Sequence, residues 1–173
     1  LENEHSSLIW RLLGSNKNIR RGKYHLNGWA QLTLQAEDGS GDGIVNNRNT
    51  AAFEASVLMQ ADESRTFSFY APIPTDYLMQ VRYSNDTGGT LETVEIYLDG
   101  NFIGEFEAAD TGDSGFGWNV FTYNGSKLAL NDLAGGTHEI TLGVTGGDGF
   151  GIEVDYIQLA FPYQCRFIPM IQK

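Results

Sequence analysis

The sequence predicts an all-β protein, an antiparallel β-sandwich of the jelly-roll kind. Three observations point there. From Trp29 onward apolar residues recur with a period of two. Gly-rich turn clusters separate these runs at roughly 8–14-residue spacing, as in sandwiches and barrels. No long stretch carries a helical period. The one helical hint is short: Ser6 or Ser7 as N-cap, then Leu8, Ile9, Leu12 and Leu13, closed by Gly14.

The elements follow in order. Leu32, Leu34 and Ala36 alternate with Thr33, Gln35 and Glu37, so this run is expected to be a half-buried strand. Tyr77, Met79, Val81 and Tyr83 alternate with Leu78, Gln80 and Arg82. Val94, Ile96 and Leu98 alternate with Thr93, Glu95, Tyr97 and Asp99, and Asp99-Gly100-Asn101 then reads as a tight hairpin. Ile140, Leu142 and Val144 form a further alternating run. Asn85–Gly89, Asn124–Ser126, Ala134–Gly136 and Gly146–Gly149 are loops.

The chain has 173 residues with 22 acids against 11 bases, a formal charge of −11. That length suits one domain. The charge is uneven: residues 1–28 form a mildly basic leader, and residues 29–160 hold four bases against twenty acids, a balance of −16. A tail, 161–173, follows. Leu1 is not a start residue, so the chain reads as a piece of something longer. Such a body repels phosphate backbones and anionic membrane surfaces, so neither nucleic acid nor membrane is an expected partner. The lone Cys165 excludes an internal disulfide.

Two clusters carry chemistry. On a strand Gln35 and Glu37 project together. Near the other end, Asp155 shares the parity of Ile157 and Leu159, so it points among apolar side chains or lies at a bulge. A buried carboxylate needs a partner. The bases of neighbouring strands are too sparse to serve every acid, and amide and carboxylate oxygens are what Ca²⁺ takes. The alternative is Asp155 accepting from backbone N–H groups at a turn. The second cluster is Asp110–Asn119 with the Gly146–Gly151 loop and Asn85. Glycines around Phe116 and Trp118 would leave an aromatic face open to pack on a sugar ring, with Asn and Asp taking hydroxyls. The alternative here is a core Trp118 beside a plain hairpin.

Residues 29–160 resemble the family 6 and family 35 carbohydrate-binding modules. The resemblance rests on Leu34-Gln35-Ala36-Glu37-Asp38, Tyr77–Asn85, Val94–Gly100, Gly117-Trp118-Asn119-Val120-Phe121, and His138–Leu142 followed by Val154-Asp155-Tyr156-Ile157. It implies a β-sandwich module tethered, as a monomer, to an extracellular polysaccharide-active enzyme. It implies a structural Ca²⁺ on Gln35, Glu37 and Asp155, a sugar-stacking Trp118, and Phe121 in the core. The family's sugar-binding Asn two residues before the closing Asp is here Glu153. A second platform aromatic is missing near Met59-Gln60, with Phe53 or Phe150 as substitutes. The expected sugar contacts are therefore Trp118, Asn119, Phe116, Asn85, Asp148, Phe150 and Glu153, and the −16 body favours a neutral polysaccharide or oligosaccharide.

Catalysis is the rival reading: a jelly-roll hydrolase or lyase using paired carboxylates such as Glu105 with Glu107, or Glu153 with Asp148. Gly112-Asp113-Ser114-Gly115 imitates a serine-protease motif, but the chain is too short for that fold and no His base is placed to serve it. His138 is expected to be solvated.

Overall fold

The protein was described from a computed structural model, which covers residues 25–112 and 117–166. Strand alternation translates into twelve strands among these residues. They are β1 (His25–Gln35), β2 (Ser40–Gly41), β3 (Ile44–Asn47), β4 (Ala55–Met59), β5 (Ser64–Ala71) and β6 (Thr75–Ser84). The second half adds β7 (Glu92–Leu98), β8 (Asn101–Ala108), β9 (Thr122–Tyr123), β10 (Leu128–Leu133), β11 (Gly136–Gly146) and β12 (Ile152–Arg166). The expected N-terminal helix lies outside the described residues.

The strands form two antiparallel sheets. One runs β10-β6-β12-β4-β3, with β1 also on β12 and β9 also on β6; the other runs β2-β5-β11-β7-β8. The predicted alternation decides which side chains lie between them. Tyr77, Met79, Val81 and Tyr83 of β6 are buried, as are Ile157 and Leu159 of β12 and Val57 and Met59 of β4. From the other sheet Phe67, Phe69, Ile96, Ile140, Leu142 and Val144 join them in one core. Burial of each such side chain is worth about 1.5–3 kcal/mol, and this apolar layer is the main cohesive force.

Turn chemistry fixes the registers. Leu98 pairs with Asn101, so Asp99 and Gly100 alone make the β7–β8 turn. Both take positive φ, 49° and 79°, the conformation a two-residue hairpin demands.

The chain divides into two units. Residues 28–163 are the sandwich. The other unit comprises 1–27 and 164–173, of which the described residues are the first three of β1 and the last three of β12. No helix among the described residues is long and apolar enough to cross a membrane.

Three expectations need correction. β1 ends at Gln35, and Ala36–Asp38 form a 3-10 turn, so Gln35 and Glu37 do not share a strand face. The chain leaves the sheet there because a guanidinium gathers its carbonyls. The buried Arg65 donates to the oxygens of Ala36, Glu37, Gly39 and Asp42. Phe121 is half-buried beneath the Arg82 guanidinium instead of lying in the core. His138 is not solvated: Nδ1 meets Asp99 Oδ2 at 2.7 Å, Nε2 meets the Ala134 carbonyl at 2.9 Å, and the ring lies against Phe69.

Candidate functional site

Strands β3 and β4 sit at a sheet edge, and their connection, residues 48–54, is free to form a surface feature. It turns on itself through Arg48 N–H to the Glu54 carbonyl and Ala51 N–H to the Arg48 carbonyl. Across from it lies the 3-10 turn Gly117–Asn119. Gly117 is required at that point, since a Cβ would fall 2.3 Å from the Asn85 carbonyl oxygen. Its own carbonyl accepts from the Ser84 hydroxyl, which anchors the turn to β6. The Thr50 hydroxyl donates to the Asn119 carbonyl at 2.6 Å and ties the two segments together.

Between them is an open depression of about 410 Å³ lined by Asn47, Arg48, Asn49, Glu54 and Asn119. Trp118, the chain neighbour of Asn119, is half-buried. Phe53, the chain neighbour of Glu54, is 80% exposed and holds φ at 52°, a strained setting for a bulky side chain. Three carboxamides, a guanidinium and a carboxylate supply both donors and acceptors. That is a chemistry suited to polyhydroxylated ligands.

The expected contacts separate into groups. Asn119 lines the depression, and Trp118 precedes it on the same 3-10 turn. Phe116 lies outside the described residues. Asn85 is fully buried: Nδ2 donates to Glu92 and to the Ala108 carbonyl, so it braces the interior and reaches no solvent-borne sugar. Asp148 clips a loop, accepting from Thr87 Oγ1, Gly88 N–H and Phe150 N–H. Burial raises its pKa, but those donors outweigh it and the net shift is downward. Phe150, 62% exposed, stands on the same loop, away from the residues that line the depression.

Glu153 is the sharpest correction among the sugar contacts. Its carboxylate is fully buried and saturated by Arg48 Nε and Nη2, Asn46 Nδ2 and Ser56 Oγ. The hydrogen bond to Glu153 in turn raises the Arg48 pKa, against the effect of burial. Glu153 therefore holds Arg48 instead of touching ligand.

Asp155 is buried at the point where the β12–β6 register slips, so both the parity and the bulge readings apply. It does have protein partners. Arg82 Nη1 pairs with Oδ2, and the Ala52 N–H donates to Oδ1 at 2.9 Å. Sparse bases therefore do not leave this acid bare. Burial nonetheless raises the Asp155 pKa, with Arg82 and Ala52 pulling it down and the charge of Glu37 pushing it up. Gln35 Oε1 and Glu37 Oε2 are buried with no hydrogen-bond partner among the described residues. An orphaned amide oxygen, an orphaned carboxylate oxygen and the Asp155 carboxylate fit a hard cation in donor type, although no group of three His, Cys, Asp or Glu residues assembles among the described residues.

With this geometry in place, known proteins can be compared. A family 35 carbohydrate-binding module from Clostridium thermocellum superimposes with a TM-score of 0.62 at 21% identity, covering 75% of this chain and 97% of its own. The C-terminal family 6 module of LamC, a laminarinase from Zobellia galactanivorans, gives 0.58 at 18%, covering 76% of this chain and 100% of its own. The fold is that of the family 35 and family 6 carbohydrate-binding modules. In sequence, a cycloisomaltooligosaccharide glucanotransferase from Niallia circulans is 26% identical over 137 residues, 77% of this chain. The chain spans 13% of that relative's length. No protein-family model matches the chain.

Sequence reasoning named Asn119 and, in the Asn47–Glu54 loop, Phe53, but missed the lining residues Asn47, Arg48, Asn49 and Glu54. The available signal was the run Asn46-Asn47-Arg48-Asn49, whose base is the only one between Lys23 and Arg65.

Proposed function

We propose that the chain is a non-catalytic carbohydrate-binding module that holds a polysaccharide-active enzyme, outside the cell, against its glycan. The observation that carries this is the carboxamide-lined depression on a carbohydrate-binding-module fold, with Trp118 and Phe53 next in the chain to its lining residues Asn119 and Glu54. Asn47, Asn49 and Asn119 offer hydroxyl partners, and the aromatic rings offer a stacking face. The matched stretch is 13% of a much longer enzyme, which supports attachment to a catalytic domain; a monomeric module is part of the same proposal.

Calcium belongs to the same reading. Gln35, Glu37 and Asp155 would hold it, and its charge would balance carboxylates that join the end of the first strand to the last.

The carboxylate pairs considered for catalysis lend no support to a hydrolase or lyase. Glu105 and Glu107 are exposed on β8, Glu153 is saturated, and Asp148 is shifted toward the ionised form, which is the wrong direction for a general acid.

The test is affinity gel electrophoresis on isomaltooligosaccharide-containing dextran, laminarin and polygalacturonate, with reducing ends measured in parallel. Retardation on a neutral polymer without new reducing ends is expected. Release of product would overturn the binding-module reading, and so would absence of retardation on every polymer.

A further inference from the structure

Arg48 is held in one pose before any ligand arrives. Its Nε and Nη2 fork onto Glu153, at 2.7 Å and 2.5 Å, and Glu153 is itself fixed by Asn46 and Ser56 at 2.9 Å and 3.0 Å. The carboxylate is wholly buried, while the Arg48 side chain remains 26% exposed and lines the depression. Nη1 makes no bond to the protein among the described residues, so the exposed part of the guanidinium carries N–H groups with no protein acceptor. A planar fork oriented this way loses little further rotamer freedom when it meets a ligand oxygen.

From this arrangement, and resting on the glycan-binding reading above, we infer that Arg48 is the specificity-determining residue of the depression, that Glu153 positions it, and that together they select a neutral sugar with adjacent hydroxyls. Arg48 can only donate, so it reads a hydroxyl oxygen as acceptor. Glu54, on the same wall, can only accept while ionised, so it reads a hydroxyl as donor. A vicinal diol satisfies both. A uronate is disfavoured because Glu153 already neutralises Arg48, leaving Glu54 as the uncompensated charge on the wall, on a body at −16. The sequence position that suggested a direct sugar contact, Glu153, thus acts one residue removed.

The experiment is titration calorimetry on the full chain with isomaltooligosaccharides, laminarin oligosaccharides and galacturonate oligomers as probes, with melting temperature recorded for each variant. Arg48→Lys keeps a charge against Glu153 but loses the fork. Arg48→Gln combined with Glu153→Gln removes both charges together, so no buried carboxylate is stranded. Each is expected to lose about tenfold or more in affinity for the neutral probe the native chain binds, as for loss of a charge-assisted hydrogen bond. The double variant is expected to do so with its melting temperature held, so that the lost affinity does not reflect a lost fold. Native affinity is expected to change less than about twofold with added salt. Native binding of a neutral probe with unchanged affinity in both variants overturns the Arg48 assignment alone. Preference for galacturonate overturns the neutral selection. Failure of the native chain on all three probes overturns the module reading and this inference with it.

Discussion

The Arg82 guanidinium bridges the buried Asp155 carboxylate and the Thr50 carbonyl, and so links the candidate cation site to the rim of the depression. Phe121 and Tyr156 lie under the same guanidinium, with their ring centroids 5.1 Å and 5.7 Å from its central carbon. Thr50 then passes the connection to Asn119 through its hydroxyl. One side chain near the C-terminal end of β6 therefore fixes a surface loop.

Arg82→Met strands Asp155 in the interior without its counter-charge. Breaking one partner of a buried pair costs about 3 kcal/mol or more, because the remaining charge keeps its desolvation penalty. Denaturant unfolding should show a loss of about that size. The double variant Arg82→Met with Asp155→Asn should recover part of it. A single-variant loss below about 1 kcal/mol would show that Arg82 does not neutralise Asp155.

Much of this was legible in the sequence, and the limits have physical causes. Period-two alternation located the inward residues of β6, β7 and β11 because each strand has one face in the core. The Asp99-Gly100 hairpin was legible because few residues adopt positive φ in succession. The depression was not, because the Asn47–Glu54 loop has no period and its shape comes from tertiary bonds, Thr50 to Asn119 and Arg48 to Glu153. The buried carboxylates showed the same limit. Sequence identified Asp155 as an acid in an apolar context but could not show Arg82 arriving from β6. It placed Glu153 at a sugar-contacting position because spacing does not reveal that Arg48 folds over it. Arg65 gathering four carbonyls likewise joins residues up to 29 apart in the chain.

Calcium should stabilise the sandwich. A ligand bound only by the folded chain contributes about 2.7 kcal/mol at a hundredfold excess over its Kd, which is roughly 5–10 °C in melting temperature at this size. Addition of chelator should reverse the rise. Glu37→Gln should abolish it, since that substitution removes one of the two orphaned oxygens' charge. A melting temperature indifferent to both calcium and chelator would remove the ion from this protein.

The pH response of the chelated protein should carry the signature of Asp155. Burial is the main cause of its raised pKa, so the folded state holds the proton more tightly than the unfolded chain does. The sign follows: the proton-linked stabilisation is fully present below the ordinary carboxyl value of 3.8 and is lost as pH rises through the raised folded value. Native stability relative to Asp155→Asn should therefore improve on acidification through that window. A relative stability that falls instead would mean that Arg82 and Ala52 outweigh burial.

His138 should supply a second limb of the same sign at higher pH. The hydrogen bond that His138 Nδ1–H donates to Asp99 is the chief cause that raises its pKa above 6.5, against the effect of burial. Its contribution is therefore full below 6.5 and fades as pH rises through the elevated value. Asp99 is partly exposed, so the effect should be small, below about 1 kcal/mol. Asp99→Asn keeps a residue that tolerates the turn's positive φ and isolates the charge. Melting curves of the two proteins should converge as pH rises through that range. A gap that stays constant with pH would mean that the pair contributes no proton-linked stability.

Phe53 should separate stability from binding. It sits 80% exposed at φ 52°, so the chain bears a strained backbone there with almost no burial in return. Phe53→Gly relieves the strain at little packing cost, although it also loosens the unfolded chain. Stability should stay within about 1 kcal/mol of native, or rise, by denaturant unfolding. If the exposed ring is a stacking face for the depression that its chain neighbour Glu54 lines, glycan affinity should fall about tenfold. Trp118→Ala should lower affinity as well but also cost stability, since that side chain is half-buried. If Phe53→Gly binds as tightly as the native chain, the strained ring is not a platform, and Trp118 is left as the described aromatic next in the chain to a lining residue.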